Sequence, residues 1–212
     1  MSAIRRTIVS VEVYEEIKKA LFNGEWAPGE RINRKGLAER FGISQTPIND
    51  ALNRLTGEGL LESHSRDGFF VPDYTDAELA DLFTARAGFE SIAARLCAED
   101  ASAADRMAFV SLFEAFGETV QQGMETAYLA ADKEFHRMVI NVSGSSRLME
   151  VETSFGLFGR SYEHGLVRSP SDTLAEHRDI VGAIVRGDGR AAQLGMAEHL
   201  LATRRYLLKG KT

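Results

Sequence analysis

Cysteine is all but missing from this chain of 212 residues, and the single one present excludes both a disulfide framework and a thiolate zinc cluster. A reducing, intracellular setting follows as the expectation. Proline is scarce, at four residues, and the 19 glycines recur with no period, so collagen-like and proline-rich chains are excluded as well. No stretch approaches the ~20 apolar residues of a membrane span. The opening MSAIRRTIVSVEVYEEIKKA sets Glu12, Glu15 and Glu16 where a secretory signal needs an apolar run, so a cytoplasmic protein with no targeting segment and no membrane partner is expected. What is present is ample for folding. At 44% hydrophobic and 26% charged, the chain can form one large domain or two small ones.

The net charge of -6 is unevenly spread. Residues 1 to 72 hold 10 basic and 10 acidic side chains, whereas the remainder holds 15 and 21. Such a contrast permits a small nucleic-acid module on an acidic body, although a neutral segment is weak evidence by itself.

The pattern up to Pro72 predicts three short helices and a hairpin. Val9, Val13, Ile17 and Leu21 recur every four residues and form one apolar helix face, closed by Gly24. Asn33 is placed to cap a second helix that buries Leu37 and Phe41 and ends at Gly42. Ser44 is placed to cap a third, with Pro47 in its first turn and Ile48, Leu52 and Leu55 inward; Gly57 and Gly59 mark its end. Leu60-Leu61 and Phe69-Phe70-Val71 then flank a polar turn containing Asp67-Gly68. Helix, helix, turn, helix, hairpin is a winged helix-turn-helix order.

From Thr75 only helical patterns remain. Thr75 and Glu78 stand at capping-box spacing before Leu79, Leu82, Phe83, Ile92 and Leu96. Further helices are predicted over Ser102 to about Val120, Glu125 to Val142, Ser146 to His164, Ser171 to Arg186 and Gly189 to Leu208. Short connections between them indicate an antiparallel bundle. The expected fold is therefore mainly α, with a winged helix-turn-helix over 1–72, a linker at 73–75 and an all-α bundle over 76–212.

In a helix-turn-helix the second helix of the pair enters the major groove N-terminus first. With Ile48, Leu52 and Leu55 inward, helical geometry turns Thr46, Asn49, Asp50 and Asn53 outward and leaves Gln45 at the exposed edge. Gln and Asn can pair bidentately with adenine. Arg31, Arg34, Lys35, Arg54 and Arg66 are candidate phosphate contacts, with an ordinary solvated surface as the alternative. Ser44, His64 and Gly68 complete the candidate DNA-facing set. The segment LAERFGISQTPINDALNRLTGEGL, preceded by NGEWAPGERI and followed by SRDGFFV, resembles the GntR family of bacterial transcription regulators. One departure stands out: where that family commonly carries arginines in SRTPVREAL, this chain has Gln45 and Asn49, which implies an operator preference shifted away from arginine-to-guanine readout.

Asp132 and His136 are four apart, hence on one helix face, while His177 and His199 belong to the last two predicted helices. From spacing alone the histidines are either separate structural residues or one O/N site suited to zinc, nickel, manganese or iron. The segments DKEFHRMVINVSGSSRL, AEHRDIVGAIVRGDGRAA and MAEHL resemble the FCD ligand-binding domain of the FadR branch of that family. The resemblance implies a metal site at Asp132, His136, His177 and His199, a small organic acid as effector, a homodimer and a palindromic operator. Arg86 is a candidate carboxylate partner near the bundle entrance, with an i,i+4 ion pair to Glu90 as the alternative. A ligand-responsive repressor, not an enzyme, is the leading expectation; a metal-dependent hydrolase or lyase on the same bundle is the rival. Cys97 reads as a buried small side chain, Trp26 as packing in the first module, Glu176 as a solvated acid, and Phe109, Phe113, Phe116, Phe155 and Phe158 as core or dimer surface.

Overall fold

The computed structural model describes residues 3–22, 24–65, 67–155, 161–162 and 165–209, and the side chains at 3–9, 22 and 153–155 lie outside that description. Arg66, Phe158, His164 and the end of the predicted 146–164 helix fall outside it, as do the side chains of Val9 and Phe155. Two compact units divide the chain, Met1–Tyr74 with Ser154–Glu163, and Thr75–Thr153 with His164–Thr212.

In the first unit, α1 (Ala3–Phe22) buries Val13, Tyr14 and Ile17 against α3 (Gln45–Gly57), whose Ile48, Leu52 and Leu55 are completely enclosed. Each fully buried Leu or Ile contributes about 2 kcal/mol of burial free energy, so this stripe fixes α3 on α1. The second helix, α2 (Arg34–Phe41), starts where expected: Asn33 accepts from the Gly36 amide, and left-handed Gly42 (φ 64°) ends it. Ser44 stands at the start of α3, but its side chain makes no capping hydrogen bond, so the predicted cap is correct in position only. Trp26 packs against the same core.

The wing is an antiparallel pair, β1 (Glu62–His64) and β2 (Gly68–Phe70), pairing Glu62 with Phe70 and His64 with Gly68. The buried Leu60 and Leu61 lie ahead of the ladder instead of within it, because the Leu60 amide is drawn back to the Leu55 carbonyl (2.8 Å) at the end of α3. A third segment joins: Arg31 bridges to Phe70, and the Ile32 amide donates to Phe69 (2.8 Å). The GERI stretch thus tethers the wing to the start of α2.

The second unit contains α4 (Asp76–Asp100), α5 (Ala103–Ser111), α6 (Glu125–Val142), all but the last two residues of α7 (Ser146–Phe155), α8 (Pro170–Arg186) and α9 (Gly189–Lys209). The Thr75–Glu78 capping box opens α4. Hydrogen bonds from Arg95 to Gln193 and from Arg204 to Thr84 show α4 and α9 running antiparallel. Their close approach uses small residues: Ala93, Ala94, Ala98 and Ala192 are fully buried, and a Cβ on Gly189 would meet Glu99 at 2.7 Å.

One predicted helix is broken. The segment expected to run to about Val120 leaves α-geometry after Leu112, passes through a 3-10 turn at Glu114–Phe116 and reverses at Gly117 (φ 57°). The Phe113 carbonyl is taken by the Arg178 guanidinium (2.9 Å), which replaces a helical partner. This break tips Phe113 and Phe116 inward.

Candidate metal centre and nucleic-acid interface

α6, α8 and α9 project Asp132, His136, His177 and His199 into the interior of the second unit, all at 5% exposure or less. A ring nitrogen from each histidine lies within 4.8 Å of the others. His177 Nε2 and His199 Nε2 are 3.2 Å apart, and Asp132 reaches to 3.6 Å from His177 Nε2 and 4.0 Å from His136 Nε2. Residues distant along the chain are thereby brought together.

The outer nitrogen of each ring is held separately. His136 Nδ1 donates to Glu90 (2.5 Å) and His199 Nδ1 donates to Glu176 (2.7 Å), because an ionised carboxylate can only accept. His177 Nδ1 meets the Tyr128 hydroxyl at 3.0 Å, and that hydroxyl meets Thr173 Oγ1 at 2.8 Å. Thr173 donates its one proton to the Ser169 carbonyl, so Tyr128 donates to Thr173 and accepts from His177. When the rings are neutral, this pattern turns all three Nε2 lone pairs inward. Facing lone pairs repel unless a proton or cation lies between them. Two nitrogens, each ~2.1 Å from one ion in tetrahedral or octahedral geometry, are about 3.0–3.4 Å apart, so the donor set fits a transition metal.

Burial lowers the proton affinity of His136, and lowers that of His177 further with His199 and His136 beside it. Neutral rings are the ligand form. Burial pushes Glu90 up, but Arg86 and His136 more than offset it and hold the carboxyl below its usual range. Glu176 is brought down to about 2 against its own burial by His199 and Arg168. Tyr128 is raised by burial and by the Asp132 charge.

Arg86 does not stand at a bundle entrance. It is fully enclosed and directs Nε to Glu90 at 2.5 Å, so the i,i+4 pair is formed and continues into His136. Nor is Glu176 merely solvated: α8 places it between His199 and Arg168, whose two terminal nitrogens both approach it at 2.7 Å. No local signal singles out Tyr128, Thr173 or Arg168, and Glu90, expected only as a partner of Arg86, also holds His136. Phe113, expected as core or dimer surface, stacks its ring on His177 at 5.1 Å and 14°. Glu134, by contrast, pairs with Arg137 on another face of α6. Cys97 is buried, with its thiol pushed up to about 12.

In the first unit, Gln45, Thr46, Asp50 and Asn53 are exposed along α3, and Asn49 is half-buried. At 3.6 residues per turn Asn49 lies about 60° from Leu52, on the flank of the apolar stripe. Its Oδ1 is enclosed and has no hydrogen-bond partner among the described residues. Arg31, Ile32, Asn33, Arg34, Lys35 and Gln45 line a polar cleft of about 320 Å³, a basic hollow of the kind that seats phosphate groups. Arg34 also lies over the Phe69 ring (5.9 Å), and Lys35 is 3.8 Å from Glu39. Arg54 is more constrained than a free surface cation, stacked on Tyr14 (3.7 Å) and bonded to Glu58 (3.2 Å). Ser44 is exposed. On the wing, His64 is exposed 3.4 Å from Glu62, and Gly68 takes φ 103° beside Arg31.

Comparison with known proteins gives two family matches: the bacterial regulatory proteins of the gntR family over residues 9–71, and the FCD domain over 81–202. A probable D-xylose utilization operon transcriptional repressor of Paenarthrobacter nicotinovorans is 29% identical over 202 residues, covering 94% of this chain and 88% of the relative. The repressor GlaR of Escherichia coli is 26% identical over 206 residues, covering 92% and 94%. The solved structure of E. coli McbR/YncC shares the fold at a TM-score of 0.76 and 22% identity, covering 96% and 99%.

Proposed function

From the premise that this chain belongs to the GntR family of DNA-binding transcription regulators and carries an FCD domain, we propose that it is an organic-acid-responsive repressor. The family and the relatives are regulators, not enzymes, so the hydrolase or lyase alternative is set aside. Asp132, His136, His177 and His199 would hold a divalent transition metal, and the observation that carries this reading is the 3.2 Å approach of two inward Nε2 atoms whose rings are held from behind. Zinc, nickel, manganese and iron all suit such donors. When bound, the ion would supply a Lewis-acidic point for a carboxylate.

The DNA-facing assignment is Gln45, Thr46, Asn49 and Asn53 to bases, with Arg34, Lys35, Arg54, Ser44, His64, Arg66 and Gly68 on or near the backbone. A homodimer on a palindromic operator, in the cytoplasm, completes the proposal. Its support is a surface of the second unit: Leu194 and Leu208 are 60% and 51% exposed, Leu201 stands midway between them at seven-residue spacing, and Ile92 on the adjacent α4 is 42% exposed. Among the described residues no helix is long and apolar enough to cross a membrane.

The test is electrophoretic retardation of a duplex selected from a random pool, using zinc-loaded protein and a panel of small carboxylic acids. Release by an acid in the wild type, and undiminished DNA binding without release in His177→Ala, is the expected result. Equal release from both proteins would overturn the reading.

A further inference from the structure

Two of the three histidines are backed by the same series, a guanidinium, a carboxylate and then the imidazole, yet the two series differ in access. Arg86 and Glu90, behind His136, have side chains 1% and 0% exposed. Arg168 and Glu176, behind His199, are 13% and 32% exposed. His177 is backed by Tyr128 and Thr173, which carry no cation. Of these three approaches, solvent reaches the cluster along the Arg168–Glu176 edge.

Arg168 already holds a carboxylate in forked geometry, NH1 to Glu176 Oε2 and NH2 to Oε1, both at 2.7 Å. That fork recognises any carboxylate of the same shape. Glu176 Oε2 is shared between Arg168 and His199 Nδ1, so Glu176 can leave the guanidinium and still orient the ring. Arg168 itself stands just ahead of α8, outside regular helix, on backbone that can adjust more readily than the middle of a helix. Charge points the same way: a divalent ion beside Arg168 would add positive charge at this edge, which a carboxylate offsets.

We propose that Arg168 recognises the effector's carboxylate, accepting a small organic monocarboxylate in place of Glu176 at the solvent-facing edge of the histidine cluster. The assignment rests on the metal reading above and moves the carboxylate partner from the enclosed Arg86 to the accessible arginine.

The experiment titrates acetate, with acetamide as its uncharged counterpart, into zinc-loaded full-length protein and follows binding by calorimetry and thermal shift; zinc content is measured separately in every sample. Arg168→Ala is expected to keep its zinc and bind acetate at least tenfold more weakly, with Arg168→Lys between it and the wild type. Glu176→Gln keeps an acceptor for His199 while loosening its hold on Arg168, and is expected to bind acetate at least threefold more tightly. A pair with a merely structural role would move both variants in one direction. Unchanged acetate affinity in zinc-loaded Arg168→Ala, no preference of the wild type for acetate over acetamide, or weakening in both Arg168→Ala and Glu176→Gln would each overturn the assignment while leaving the metal site standing. Wild-type protein that takes up no zinc would overturn both.

Discussion

The two units of this chain use their interiors for opposite purposes. The core of the DNA-binding unit is apolar, with Ile17, Ile48, Leu52 and Leu55 at 0% exposure, and most of its described charged groups are exposed, Lys18 at 8% being buried. At the heart of the second unit lie Arg86, Glu90, Asp132, His136, His177 and His199, none more than 5% exposed. Burying such groups costs free energy unless every one is paired. The first interior is complete from the chain alone, whereas the second is arranged around donor atoms that converge on a point. The first unit's stability thus comes from packing, whereas the second carries buried polar and charged groups whose burial has to be offset by pairing.

Metal removal is the largest expected break in that contrast. A ligand present at a thousandfold excess over its dissociation constant stabilises the native state by about 4 kcal/mol. Across a domain of this size, chelation is expected to lower the melting temperature of the second unit by roughly 10–15 °C. Hydrogen exchange resolved by segment should show α4, α6, α8 and α9 opening more often after chelation, with α1 to α3 unchanged. Equal loss in both units, or in neither, would remove the contrast.

Much of this contrast was legible in the residues. The apolar spacing of Val13 and Ile17, the Asn33 cap, the Thr75–Glu78 box and Gly42 are local signals, and each formed because nothing distant competes with it. The four candidate ligands can be named from the sequence as well, since the Asp132–His136 spacing and the FCD resemblance pick out their positions. What escaped depends on contacts between distant segments. Nothing within 102–120 announces that Arg178 will take the Phe113 carbonyl and break the helix. Glu176 looks like any surface acid until α9 sets His199 beside it. Arg86 and Glu90 were visible as an i,i+4 pair, but their complete burial and their link to His136 arise only when α4 packs on α6.

A smaller effect is expected on the flank of α3, where the first unit departs from its family. Asn49 is half-buried beside the core with its Oδ1 enclosed, so Asn49→Arg should cost no more than about 1 kcal/mol of stability. Base readout should change far more, gaining a preference for guanine worth about 1–3 kcal/mol at one position of each half-site. Binding selection on random duplexes reads this directly. Recovery of the same operator by both proteins would mean that Asn49 does not touch a base, and would place specificity on Gln45, Thr46 and Asn53.

The smallest expected effect concerns a charged cluster that links two helices of the packed unit. Tyr14 donates to Glu58 at 2.6 Å and Lys18 donates to it at 3.2 Å, joining α1 to the end of α3. Burial pushes Glu58 up, but hydrogen bonds from Tyr14 and Lys18 outweigh it and hold the carboxyl below 4.5. A carboxyl whose affinity for protons is lower folded than unfolded stabilises the native state above the unfolded value, and loses that contribution as pH falls through the folded one. Glu58→Gln should therefore cost about 1 kcal/mol at pH 7, a figure kept small because the pair is partly solvated. The difference between the two proteins should shrink as pH falls below 4.5. Urea unfolding of the first unit at a series of pH values provides the measurement. A difference that stays constant into acid would show that Glu58 acts through shape alone, and that the packed unit draws nothing from its charges.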